Sequence, residues 1–471
     1  MILFLPETLL LALIVLLICL TLAKNQIKPQ TLLRLMIAGA AVLLGGCLYS
    51  MKSSGYLFEG SYQVDFLSQG FKTLIVLGFC FTLFLSHEAL SIPVSRQVEY
   101  FIFLSTATLG MIMLPSSANL LTLYVSMELS SYSLYLLTAL RKDRKNAESS
   151  VKYLIFGAVT SGVFLWGLSF VLGITGSASF QDIAAKAAIL SSQPAFVLGI
   201  VLMLSAFLFK LSAFPFHFWA PDVYESSATP ITNFIATSSK AAAVAILVRF
   251  LLQVNVTPAL VTLLSLFAFI SMTLGNTVAL VQQDVKRLLA YSSIAQAGYL
   301  LVGLLSGTPE GYSSSFFYAT AYLLMNTGFF VVTMAVAKSV HHDNPQITHF
   351  DGLAERSPFL ALILLLSLLS LAGIPPLVGF TGKWILFSAA MEQGHWFLVL
   401  WAVLNSVVSL FYYLTIVKHA YLEKPAADTA ITLTLPMKLF CLFLFAAIVF
   451  LGIFPNTLIS FSQEIVSGFI H

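Results

Sequence analysis

The sequence predicts an all-α integral membrane protein with about fourteen transmembrane helices. Of its 471 residues, 59% are apolar and only 9% are charged, where a soluble domain carries about 25% charged residues. At about 20 residues per crossing helix plus a short connection, a chain of this length holds little besides membrane spans. Lys and Arg also gather in alternate connections, as they do in multi-pass proteins. The formal net charge of +3 is too small and too dispersed for nucleic-acid binding. Cys19, Cys47, Cys80 and Cys441 stand singly in apolar runs without CxxC spacing, so no disulfide framework, zinc site or iron–sulfur site is encoded.

Apolar runs bounded by polar, Gly or Pro clusters place spans at 2–23, 32–51, 71–90, 99–115, 117–140, 152–175 and 195–219. Seven more follow at 230–252, 257–281, 288–305, 312–338, 358–391, 396–421 and 436–456. The first run lacks a basic leader and an AxA-like cleavage site, which marks it as a retained span. One set of connections and helix ends holds sixteen of the 23 basic residues: Lys24, Lys28, Arg34, Arg96, Arg141, Lys142, Arg144, Lys145, Lys152, Lys286, Arg287, Lys338, Arg356, Lys418, Lys424 and Lys438. The opposite set holds Lys52, Lys72 and Lys186, with Arg249 near enough to snorkel. Basic residues favour the cytoplasm, so both termini are expected to face outward.

Lys210, Lys240 and Lys383 fit neither side. Lys240 lies about 15 Å from the Pro230 end of its span and about 20 Å from the other, and Glu128 is also near the centre of its span. An ionised residue at a helix centre costs about 2.5–3.5 kcal/mol, so the four together oppose insertion by roughly 10–14 kcal/mol. Structural ion pairs are the plainest reason to keep such residues. Three lysines against one glutamate leave two without an acidic partner, however, and that imbalance suits groups that carry protons. Burial weakens a lysine's hold on its proton and a nearby carboxylate restores it. Movement of Glu128 relative to Lys210 would therefore act as a switch, with the proton passing on through Lys240 to Lys383.

Two spans carry internal breaks. Pro215 removes a helical hydrogen bond five residues after Lys210, and Pro375–Pro376 does so ahead of Lys383. Irregular backbone at membrane depth is tolerated where it is buried in protein or lines a watery cavity. The breaks fall in spans seven and twelve, five helices apart. Units of five helices have opposite topology, which predicts two inverted repeats with a site at their interface. The expected organisation is one polytopic domain: three helices in 1–95, a first repeat over 99–252, an inverted second over 257–421, and a last helix and tail over 436–471.

These residues resemble the antiporter-like membrane subunits of respiratory complex I, NADH-quinone oxidoreductase, and within them the subunit N branch. The similarity is carried by Met127–Glu–Leu–Ser130, Phe209–Lys–Leu–Ser212, Pro215–Phe–His–Phe–Trp219, Pro221–Asp–Val–Tyr–Glu225, Ala236–Thr–Ser–Ser–Lys240 and Gly379–Phe–Thr–Gly–Lys383. It implies that Glu128, Lys210, Lys240 and Lys383 translocate protons. Subunits L and M differ in usually having histidine where Lys240 stands. Ser226–Ser–Ala–Thr–Pro230 departs from the family's more usual Gly or small residue followed by a Pro-rich turn. His217, seven residues after Lys210, would share its face if the helix resumed, which makes it a candidate relay; an interfacial histidine capping the broken end is the alternative. Lys152, Asp222 and Glu225 fit either a solvated face or proton uptake.

The resemblance further implies partners among the other membrane-arm subunits, with FMN, iron–sulfur clusters and quinone held by partner subunits and no cofactor in this chain. The sequence agrees, since Gly382–Lys383 lacks the flanking residues of a P-loop, no GxGxxG follows a strand, and only His217 and His419 lie in or near spans. The expected location is a bacterial inner membrane in preference to a thylakoid. The competing expectations are a Na⁺(K⁺)/H⁺ antiporter subunit without electron transfer, and a stator whose lysines only pack helices. A sodium site wants several convergent oxygen ligands, and the spans offer one buried carboxylate.

Overall fold

Inside a bilayer no water competes for backbone groups, so the chain satisfies them within helices. A computed structural model describes residues 2–22, 28–86, 92–141, 143–254, 258–425 and 430–470. In order the elements are α1 (Leu5–Leu22), α2 (Pro29–Tyr49), β1 (Gly55–Leu57), β2 (Tyr62–Val64), α3 (Phe66–Ser86), α4 (Gln97–Met113), α5 (Leu120–Thr138), α6 (Arg144–Thr175), α7 (Phe180–Leu190), α8 (Pro194–Leu211) and α9 (Trp219–Ser226). The remainder are α10 (Thr229–Phe234), α11 (Lys240–Val254), α12 (Pro258–Ala279), α13 (Val285–Leu304), α14 (Pro309–Ser339), α15 (Leu353–Arg356), α16 (Pro358–Ala372), α17 (Val378–Glu392), α18 (Trp396–Leu422), α19 (Leu435–Ile453) and α20 (Asn456–Ile470).

Every expected span overlaps one of these helices or helix pairs, with residues 23, 87–90 and 257 of three spans lying outside the described residues. Eleven helical stretches among the described residues are long and apolar enough to cross a membrane. Three of the fourteen expected spans fall short of that. One is the α16–α17 pair, which is split; the others are α5 and α13, which are interrupted by Glu128 and several serines, and by Ser292, Ser293 and Gln296. The β1–β2 hairpin, α7 and α20 were not expected, because each is too short for a span-length hydropathy pattern. Lys24 and Lys142, counted among the basic loop residues, lie outside the described residues.

Both expected breaks are present. α8 ends at Leu211 and Ser212 turns left-handed at φ +57; α16 ends at Ala372 and Gly373 does the same at φ +89. Each end closes with the same long-range cap, Ala213 N–H to Leu208 O at 2.9 Å and Ile374 N–H to Leu369 O at 3.0 Å, the six-to-one bond that satisfies a helix's last carbonyls. The two caps are 161 residues apart. A related correspondence joins the preceding helices. A Cβ on Gly110 of α4 would sit 2.5 Å from Ser130 N of α5, and one on Gly275 of α12 would sit 2.6 Å from Ala295 N of α13. Both members of that second pair stand 165 residues after those of the first, so only glycine permits each close helix crossing.

Two expectations about the basic residues are overturned. Lys72 does not lie in a loop: it sits in α3, wholly buried, with its Nζ 2.7 Å from Glu7 Oε1, and Tyr62 Oη donates to the same oxygen at 2.6 Å. Arg249 does not snorkel to water; it is wholly buried and grips both oxygens of Asp65 at 2.7 and 2.8 Å, with Gln63 Oε1 at 3.1 Å. The count of one buried carboxylate therefore fails. Glu7 and Asp65 are both buried, while Glu128 is only half-buried. A cation buried at this depth needs its partner, so both acids are better explained as packing pairs.

The Asp65–Arg249 pair ties the segment before α3 to α11, the helix that begins with Lys240. Asp65→Asn leaves the guanidinium buried against a neutral amide, a defect that typically costs about 3–5 kcal/mol. A lowered melting temperature in mild detergent is the expected result, with part of the loss recovered in Asp65→Asn/Arg249→Met. An unchanged melting temperature for the single variant would show that the pair does not hold α11.

Candidate functional site

The four residues singled out from the sequence lie on four helices, α5, α8, α11 and α17. Lys210 occupies the last turn of α8, just ahead of the break. Its Nζ donates to Ser130 Oγ at 2.6 Å and to Ser131 Oγ at 3.3 Å, both on α5. Glu128 lies one turn before Ser131 and accepts from Ser161 Oγ of α6. Among the described residues no ion pair within 4.0 Å joins Glu128 to Lys210. Glu128 borders an outward stripe of α5 formed by Leu121, Val125, Tyr132 and Leu136, and this stripe gives the carboxylate an open flank.

Lys240 follows a single π-helical stretch, Ile235–Ser239, a geometry common at functional positions. It is 2% exposed. Its Nζ donates to Ser293 O of α13 at 2.7 Å and stands 5.8 Å from the centre of the Tyr322 ring. Lys383, six residues past its break, reaches back to the end of α16. Its Nζ donates to Leu371 O at 2.9 Å, Ala372 O at 3.0 Å and Ser406 Oγ at 2.8 Å, over the Tyr299 ring at 4.6 Å. The carbonyls that the break leaves unpaired thus become a cation site, favoured by the negative end of the α16 dipole.

A line of polar groups runs between these last two lysines, hydrogen-bonded from Ser292 to Lys383 and joined to Lys240 through the chain step from Ser293 to Ser292. Ser293 leads to its neighbour Ser292, whose Oγ lies 2.5 Å from Tyr413 Oη of α18. Gln296 Nε2 donates to that same hydroxyl at 3.4 Å and to Leu371 O at 3.3 Å, the carbonyl that Lys383 holds. Tyr318 Oη donates to Gln296 Oε1, and Tyr224 Oη meets Ser293 Oγ at 3.1 Å. Sequence reading missed Ser292, Ser293, Gln296 and Tyr413. The signal for the three on α13 was available, as a polar cluster at i, i+1 and i+4 on a helix that is otherwise mostly apolar.

No hydrogen-bonded line joins Lys210 to Lys240 among the described residues. Between them lies the break, where His217 is buried at 3% exposure against Phe218, their rings 4.3 Å apart, with its Nδ1 lacking a protein partner. The reasoning that put His217 on the face of Lys210 fails, because α8 stops at Leu211 and the helix does not resume until Trp219. At one end of the site an ion cluster forms. Asp222 meets Lys152 at 2.9 Å and Arg287 at 2.7 Å, while Glu225 meets Arg287 at 3.0 Å and Lys145. These charges are paired across α6, α9 and α13 rather than simply solvated.

Residues 117–409 match the family described as NADH:quinone oxidoreductase/Mrp antiporter, TM. The NADH-quinone oxidoreductase subunit N 2 of Syntrophobacter fumaroxidans is 43% identical over 466 residues, covering 98% of each chain. The NADH-quinone oxidoreductase subunit N of Heliobacterium modesticaldum is 42% identical, over 77% of this chain and 76% of that one. The chain belongs to the subunit N family of NADH-quinone oxidoreductases. A chain of respiratory complex I from Thermus thermophilus, solved with bound aureothin, superimposes with a TM-score of 0.84 at 31% identity, over 97% of this chain and 98% of that one. A chain of the Mrp complex from Dietzia matches at TM-score 0.86 but 19% identity, over 99% and 96%, a likeness of fold alone. This subunit N family member is thus a multi-pass, antiporter-like membrane protein, with Glu128, Lys210, Lys240 and Lys383 all inside the matched region.

Proposed function

We propose that this chain is a proton-translocating membrane-arm subunit of NADH-quinone oxidoreductase, moving protons through Glu128, Lys210, Lys240 and Lys383 as partner subunits reduce quinone. The observation that carries the reading is the polar line from Lys240 to Lys383, because a run of hydroxyl and amide groups between two buried amines is what proton transfer requires and what packing alone does not. FMN, iron–sulfur clusters and quinone belong to those partners. The half-exposed carboxylate of Glu128 on an apolar stripe supports a neighbouring membrane subunit at that face, since a carboxylate bordering lipid is costly. The matched caps and glycine crossings support two inverted five-helix units over 99–252 and 257–421. In them Ser293 and Gln296 stand where Glu128 and Ser131 stand in the first unit. The charge distribution supports a bacterial inner membrane with both termini outward, which puts the Asp222–Glu225 cluster on the cytoplasmic side as a proton-uptake mouth. His217 serves this route only as a side group in the break.

Purification in mild detergent tests the assignment. Flavin and iron–sulfur signals with quinone reductase activity are expected to travel with the chain; Na⁺-linked transport without them would instead assign it to the antiporter class. Tyr413→Phe tests the line itself. It keeps the ring and removes the one oxygen shared by Ser292 and Gln296, so pumping per quinone reduced should fall about ten-fold, less than the roughly hundred-fold or more contributed by a group that itself gives or takes the proton. Pumping at the native ratio would remove Tyr413 from the route.

A further inference from the structure

Away from the charged axis, one surface feature joins an apolar channel to an arginine at its mouth. α2, α3 and α19 leave a groove of about 530 Å³ between them, walled by Ala41, Leu44, Leu77 and Cys80 and by Leu439 and Phe443. Its floor is aromatic: Phe84 stacks on Phe440 at 5.0 Å and Phe81 meets Phe440 edge-on at 5.3 Å. The groove runs into a second hollow of about 330 Å³, which shares Ile37, Phe84 and Pro436 with it and adds Gln30 and Arg34. Arg34 is exposed and makes no ion pair among the described residues.

Dimensions decide what fits. From Gln30 to Leu44 the groove follows α2 for about 21 Å, which reaches from headgroup level past the middle of a core about 30 Å thick. An extended acyl chain is long and thin enough to lie along an apolar groove of that length. The mouth lies where α2 and α19 begin and α3 ends, the face on which the basic residues concentrate. An arginine there selects an anionic headgroup, through its fork of N–H donors and its charge.

We propose that this groove binds an anionic phospholipid, with one acyl chain along α2 and α19 and the phosphate on Arg34. The test uses the purified complex containing this chain, in nanodiscs doped with phosphatidylglycerol or phosphatidylcholine carrying a photoreactive acyl tail. Peptides from α2 and α19 should be labelled about five-fold more by phosphatidylglycerol, the preference one arginine near the surface confers. Arg34→Gln should reduce that labelling to the phosphatidylcholine level, and Ala41→Trp, which fills the groove, should lower labelling by both. Equal labelling of the native complex by the two lipids would overturn the proposal. So would a preference that survives Arg34→Gln, or an absence of labelling because another subunit covers the groove. Arg34→Gln changes an exposed residue, so it decides the matter even if Ala41→Trp fails to assemble.

Discussion

Lys240→Met is expected to reduce proton pumping by at least ten-fold while the assembled complex survives purification. Lys240 is the buried amine at the head of the polar line, and its Nζ holds Ser293 O at 2.7 Å. Without it, a proton moving toward Lys383 has no titratable group at the start of that line. The cost of an unassisted charge at membrane depth, about 2.5–3.5 kcal/mol, corresponds to a slowing of roughly 70- to 400-fold. Lys240→Arg separates the carrier role from a packing role. Arginine keeps the charge and the donors but does not release its proton, so a carrier site should fail with arginine nearly as badly as with methionine. A site that merely needs a cation should tolerate it. Pumping is read as dye quenching in proteoliposomes, normalised to the rate of quinone reduction.

Glu128→Gln carries the second large effect. The substitution preserves the side-chain shape and the contact with Ser161 Oγ but removes the charge beside the Lys210 site. At an effective dielectric of 20, a carboxylate that approaches an amine to about 4 Å interacts with it by roughly 4 kcal/mol, close to a thousandfold in an equilibrium constant. If the approach and withdrawal of this carboxylate load and unload Lys210, pumping per quinone should fall by at least ten-fold, and Glu128→Asp should restore part of it. An undiminished ratio in Glu128→Gln would show that the switch lies elsewhere. The open flank of Glu128 gives this variant a second readout: the subunit proposed to cover that face should dissociate more readily in detergent.

The spans, the two breaks and the lysines were legible because each leaves a one-dimensional mark: a long apolar window, a proline at membrane depth, a charge where lipid forbids one. The paired acids were not. Glu7 and Asp65 sit near the ends of apolar stretches, where a charge ordinarily meets water, and only the packing of α1 and α11 against the start of α3 shows that each is buried on a cation. His217 was misplaced by assuming helical continuity through a break that consumes Ser212 to Phe218. Tyr413 was passed over because a tyrosine in a span is common. Gln296 matters because its one amide nitrogen on α13 donates both to Tyr413 Oη of α18 and to Leu371 O of α16, a three-helix meeting that periodicity does not encode. The hairpin, α7 and α20 are shorter than any membrane window, and α20 owes its place to packing on α3 and α14.

On the proposed mechanism, amines buried in this membrane domain exchange protons during turnover. Its most direct test is the charge state of Lys240 in the complex with ¹⁵N-labelled lysine, followed by solid-state NMR at rest and under steady quinone reduction. A neutral-amine resonance, assigned by its loss in Lys240→Met, should appear or grow in one of the two conditions. An ammonium signal unchanged between them would contradict the account and leave Lys240 a fixed charge.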